Sequence, residues 1–80
     1  MYYVYILKHP TEDRIYIGFS ADLRSRITRG HAKEHPGWRL AYYEADASER
    51  DARDRERRLK LHGNMKQLLK KRIMRSLNAV

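Results

Sequence analysis

Tyr2 to Leu7 is aromatic and β-branched, the pattern of a strand. Lys8-His9-Pro10-Thr11-Glu12-Asp13 is polar and holds a proline, which predicts a turn, and Arg14 to Phe19 is a second strand running up to Ser20. The two are expected to pair as an antiparallel hairpin. Ser20 and Asp22 supply caps for a helix carrying Leu23 and Ile27 on one face, with Gly30 to close it. His31 to Gly37 reads as loop and Trp38 to Glu44 as a third strand. Ser48-Glu49-Arg50-Asp51 has the spacing of a capping box and opens a second helix that runs to about His62, with Gly63 as its stop. Asn64 to Gln67 predicts another N-cap, followed by Met65, Leu68, Leu69, Ile73 and Leu77 at helical spacing. The expected fold is α+β: a three-stranded antiparallel sheet covered by three helices, in the order β-β-α-β-α-α.

Eighty residues suit one domain, taken as residues 1–80. The chain has no cysteine, which excludes disulfides, thiolate zinc sites and thiol catalysis. No apolar run approaches a membrane span, and the N-terminus lacks the features of a signal peptide, so the cytoplasm is the expected location. The net charge of +8 is unevenly placed. Residues 1–56 carry ten basic and ten acidic side chains, whereas Arg57, Arg58, Lys60, Lys66, Lys70, Lys71, Arg72 and Arg75 meet no carboxylate after them. A basic cluster of this kind suits a polyanion, because neutralised phosphates release counterions. Arg24, Lys60, Lys66, Lys70, Lys71 and Arg72 are the candidate nucleic-acid contacts.

A turn centred between Pro10 and Thr11 would set Leu7 opposite Arg14 and Tyr5 opposite Tyr16, with the two phenols side by side and Gly18 leaving space beyond them. Such a pair either stabilises the hairpin or serves chemistry. On the second helix, Ala52, Glu56 and Leu59 fall on one stripe, and that stripe must face the sheet. A carboxylate in its middle needs a cation: an arginine partner, or a divalent metal that takes one protein oxygen, waters and a substrate phosphate. Arg26 flanks the Leu23/Ile27 stripe, where its planar fork matches a phosphate. His31 is either a proton carrier or a loop histidine.

Val4-Tyr5-Ile6, then Tyr16-Ile17-Gly18 eleven residues on, then Arg26 ten residues later, resemble the GIY-YIG nuclease family. The Tyr42-Tyr43-Glu44 strand, the helix start at Ser48 to Ala52 and Glu56-Arg57-Arg58-Leu59-Lys60 extend the likeness over about residues 2–72. The chain looks like the small stand-alone bacterial members, related to the N-terminal nuclease domain of the excinuclease C subunit. The resemblance implies a metal-dependent endonuclease that nicks DNA to leave 5′-phosphate and 3′-hydroxyl ends, in repair or recombination. It makes Tyr5, Tyr16 and Arg26 catalytic and Glu56 the ligand of one Mg²⁺ or Mn²⁺ ion. The chain matches the first motif of the family only at its tyrosine, Tyr5. It also has Gly30 at the position, fourteen residues past Tyr16, that often holds His or Tyr, with the catalytic candidate His31 one residue beyond. Tyr5 is expected to take the proton of the attacking water, provided the cation and Arg26 draw its pKa down, and Tyr16 to position water or phosphate. The alternative is a nucleic-acid-binding module, for DNA or RNA, that keeps this fold without cleaving.

Overall fold

The computed structural model describes residues 1–31 and 34–80, Gly30 and His31 by backbone alone. Strands β1 (Tyr2–Lys8), β2 (Ile15–Ser20) and β3 (Arg39–Asp46) form an antiparallel sheet in the order β2-β1-β3. Helix α1 (Leu23–Ser25) continues as a π-helical stretch, Arg26–His31, and α2 (Glu49–Leu61), α3 (Gly63–Arg72) and α4 (Met74–Ala79) follow β3. The fold class and element order are as expected. Among the described residues no helix is long and apolar enough to cross a membrane.

The central strand is buried from Val4 to Leu7, which explains its unbroken apolar run. Alternation sends Val4 and Ile6 into a core with Ile17, Ala52, Leu59, Leu69, Ile73 and Leu77, so α2, α3 and α4 cover that face. Tyr3, Tyr5 and Leu7 project from the other face. There Leu23 and Ile27 of the first helix line a groove with Tyr3, Leu40 and Tyr43. The helices thus cover both faces of the sheet rather than one.

The hairpin register differs from the sequence expectation by two residues. Tyr5 stands opposite Gly18 and Leu7 opposite Tyr16. The loop is longer than supposed because His9 organises it. Its Nδ1 accepts the backbone N–H groups of Thr11 and Glu12 at 3.1 and 2.9 Å, and its own N–H closes the loop on the Arg14 carbonyl at 2.9 Å. Lys8 adds a bond from Nζ to the Glu12 carbonyl. A two-residue shift preserves the face, so the phenols still share one side of the sheet, now as a diagonal pair with ring centroids 6.2 Å apart.

Three helix details also differ. Asp22 caps α1 through the Ser25 N–H, but the helix widens at Arg26. Thr28 accounts for this locally: its hydroxyl donates to the Arg24 carbonyl at 2.9 Å and competes for the backbone acceptors an α-turn would use. Asn64 is not a cap; α3 begins at Gly63 behind His62, whose carbonyl accepts the N–H groups of Met65 and Lys66. The last predicted helix breaks at Ile73 (φ −104°, ψ 21°) into α3 and α4. In a straight helix residues eight apart drift by about 80°. The break lets Leu69, Ile73 and Leu77 all reach the core. Ser48 does cap α2, accepting from the Asp51 N–H at 3.3 Å, and holds the helix so that Ala52 and Leu59 are fully buried.

On the helix-covered face, Arg55 of α2 grips Glu44 of β3 at 2.6 and 3.3 Å, Tyr42 donates to the same carboxylate at 2.7 Å, and Arg72 of α3 donates to the Tyr42 hydroxyl at 3.0 Å. Burial by itself would raise the Glu44 pKa, but the hydrogen bonds from Arg55 and Tyr42, with the charges of Arg55 and Arg72, hold it below the usual carboxylate value. A lowered folded-state pKa gives stability that is complete above the ordinary value of 4.5 and lost as pH falls through the lower one.

Two predictions follow from this packing. Glu44→Gln should cost about 1.5 kcal/mol at neutral pH, and its thermal melts should lose less on acidification than those of wild type; equal acid sensitivity would show that Glu44 is not the group involved. A Cβ added at Gly18 would stand 2.5 Å from the Tyr5 Oη and 2.8 Å from its Cε1. Gly18→Ala should therefore destabilise by about 1–3 kcal/mol in urea unfolding, whereas an unchanged midpoint would place the Tyr5 ring elsewhere.

Candidate active site

Tyr5 is the anchor. It lies on the buried strand with 2% of its surface exposed, and its ring passes over Gly18, where the absence of a side chain leaves the slot open. Its hydroxyl accepts a hydrogen bond from Arg26 Nε at 3.1 Å. The first helix delivers Arg26 there because Leu23 and Ile27, on either side of it, face the sheet. Tyr16 lies diagonally across from Tyr5 on the edge strand and is only half-buried.

Burial raises the Tyr5 pKa; the Arg26 hydrogen bond and charge pull it down, but by less, and the Tyr16 and Glu34 charges add to the rise. The lowering that a general base at this position requires is therefore not met in the resting site. Tyr5 is a neutral phenol there, accepting from Arg26 and keeping its own proton to donate. The Tyr5 hydrogen bond in turn keeps Arg26 firmly charged.

Both candidate charges have resident partners. Arg26 Nη2 lies 3.3 Å from Glu34 Oε2, an exposed pair at the rim. Exposed pairs are worth about 0.2–1 kcal/mol, so Glu34 is only weakly held. Glu56 sits on the α2 stripe between Ala52 and Leu59 with its side chain 19% exposed, and it pairs with Lys60 at 2.9 Å rather than with an arginine. The Lys60 Nζ also stands 6.0 Å from the centre of the Tyr16 ring. Tyr5, Tyr16 and Arg26 are thus in one cluster on one face of the sheet, whereas Glu56 lies on α2, which packs on the opposite face; only its partner Lys60 reaches the Tyr16 ring, at the open edge of β2.

The remaining candidates are scattered. The His31 side chain lies outside the described residues. Arg24 is exposed and lines the groove on the first-helix face. Lys66 is half-buried, Lys71 is exposed, and Lys70 and Lys71 line a cleft beside the hairpin turn, where Lys70 lies 3.9 Å from Asp13. Arg72 points the other way and is engaged with Tyr42, its guanidinium 5.3 Å from that ring. The basic residues of α3 therefore do not make one continuous face.

Two neighbours of the site were not anticipated. Glu34 reaches Arg26, and the His35 ring lies 4.2 Å, centroid to centroid, from the Tyr16 ring. Both follow the first helix in a segment without periodicity, where spacing carries no signal. The Glu56–Lys60 pair was legible, since a glutamate four residues before a lysine is a favoured helical pairing.

No curated protein and no solved structure matches the chain. The family model of the GIY-YIG catalytic domain does, over residues 1–72 of 80, a span that includes all three strands, the π-helical turn bearing Arg26 and the helix bearing Glu56. On that match the chain belongs to the GIY-YIG nuclease family, whose substrates are nucleic acids.

Proposed function

We propose that the protein is an endonuclease that hydrolyses DNA phosphodiester bonds with a divalent cation, Mg²⁺ or Mn²⁺, leaving 5′-phosphate and 3′-hydroxyl ends, in repair or recombination. The observation that carries this reading is the Arg26 guanidinium, fixed through Nε by a buried phenol and turned with Nη2 toward a weakly held exposed carboxylate. A phosphate oxygen is the natural replacement for that carboxylate.

The residues fit a one-carboxylate metal site. Glu56 is largely desolvated, its partner Lys60 is a half-exposed single charge, and among the described residues no cluster of three acidic or histidine side chains offers a fuller cage. Magnesium commonly uses one or two carboxylates together with waters and substrate phosphate. Bound by Glu56, the ion would supply charge relief at the phosphate and at the leaving 3′-oxygen.

This chain's own groups do the rest. Arg26 neutralises the non-bridging oxygens as charge builds on them. Tyr5 fixes the guanidinium and donates its own proton toward the phosphate. Tyr16, the more accessible phenol, positions the attacking water, and the Lys60 Nζ stands 6.0 Å from the centre of the same ring. Hydrolysis balances with one water consumed: its oxygen ends on the phosphate and a proton on the departing 3′-oxygen.

Glu56→Gln keeps the side chain's shape but removes the charge the cation needs. Nicking of a labelled strand in Mg²⁺ or Mn²⁺ should fall by orders of magnitude while binding stays near wild type, and Tyr16→Phe should behave alike. A Glu56→Gln protein that melts earlier yet still nicks would make Glu56 a structural partner of Lys60 only. Wild type that nicks no branched, duplex or single-stranded substrate would leave a binding module. Separately, neutralising Lys66, Lys70 and Lys71 together should flatten the slope of log affinity against log salt by about 2–3; an unchanged slope would remove the cleft beside the hairpin turn from the docking surface.

A further inference from the structure

A row of rings leads away from the site. From Tyr16 the centroid spacing is 4.2 Å to His35, 5.4 Å from His35 to Trp38 and 5.0 Å from Trp38 to His9. All four side chains are half-buried, and none belongs to the core around Val4, Ile6 and Leu59 or to the apolar residues packed on it. Their ring surface is therefore not spent on holding the helices. Cations border the row at Tyr16 and at Trp38: Lys60 over Tyr16 at 6.0 Å, and Arg14, its side chain 63% exposed, 5.8 Å from the Trp38 ring. Glu12, within 3.6–3.7 Å of His9 and Arg14, marks the far end.

We infer that this row is a stacking platform for a single-stranded stretch of nucleic acid, and that the enzyme acts on strands whose bases next to the cut are unpaired. Aromatic rings beside cations hold single strands because every base offers a π-face, whatever its sequence. A base inside a duplex offers only its edges, so this surface cannot engage it without unstacking. The cationic border matches the backbone that accompanies such bases. The inference rests on the nuclease reading, since a phosphate at Arg26 is what sets the strand beside Tyr16 and along the rings.

Trp38 is the chain's only tryptophan, so its emission reports on this surface alone. Titrating the wild-type chain with a short oligothymidylate, in EDTA so that nothing is cut, should quench Trp38, while a blunt duplex of the same length should leave it nearly unchanged. Trp38→Ala should weaken oligothymidylate binding about tenfold or more, read by anisotropy of the labelled oligonucleotide, with duplex binding held. Trp38→Phe, which keeps a stacking ring and the local packing, should retain most of the affinity. If anisotropy reports oligothymidylate bound while Trp38 emission stands still, or if duplex quenches it equally, the platform is overturned and the nuclease reading stands. If single strands quench Trp38 but no substrate is nicked in metal, the platform is supported and the nuclease reading falls.

Discussion

The Tyr5 ring occupies a slot that exists only because the residue facing it has no side chain. With Gly18 opposite, the phenol packs flat within the sheet surface, nearly inaccessible, and its hydroxyl emerges where the first helix passes. That hydroxyl is the fixed point for Arg26, which would otherwise be an ordinary cation on a helix flank. Core and site are thus joined through one side chain. The central strand fixes Tyr5, Tyr5 fixes the guanidinium, and the guanidinium faces the rim with its second nitrogen. A long flexible side chain held at Nε has lost most of its rotamer freedom in the folded chain, so its guanidinium is oriented in advance.

Charge pairing sorts the remaining residues by role. Glu44 is held by two nitrogens of Arg55 and by Tyr42, is largely shielded from water, and has its pKa lowered in spite of burial. Such a network fastens β3 to α2 and α3. Arg26 and Glu56 differ. Each has a single-residue counterion on an exposed side chain, Glu34 and Lys60, and neither pair takes part in the buried core. Resident counterions keep the resting site electrically balanced, and their weakness keeps it available.

Much of this was written in local pattern. Strand and helix identities, the Ser48 cap and the Ala52–Glu56–Leu59 stripe follow from periodicity and capping chemistry, and all were legible. The hairpin register was not, because it depends on how His9 folds the turn, a side-chain-to-backbone choice that composition does not reveal. Face was nevertheless read correctly, since an even shift leaves every side chain on its side. The cover on the second face, the break at Ile73 and the π-turn at Arg26 all arise from tertiary packing or from competition for carbonyls. Residues brought to the site by an aperiodic segment, Glu34 and His35, had no periodicity to betray them.

The site's position at an edge strand has its own logic. In the order β2-β1-β3, β2 presents an unpaired side that could recruit another strand. Helix α2 runs close to it and lays cations on its aromatics, Arg53 4.1 Å from the Phe19 ring and Lys60 6.0 Å from the Tyr16 ring, on opposite faces of the strand. Long charged side chains of this kind discourage strand addition. They also set positive charge along the border between the helix that carries Glu56 and the strand that carries Tyr16. The side chains that guard the edge are thus the ones that cover the aromatic rings of its outermost strand, so edge protection and the packing of Phe19 and Tyr16 fall to the same two residues.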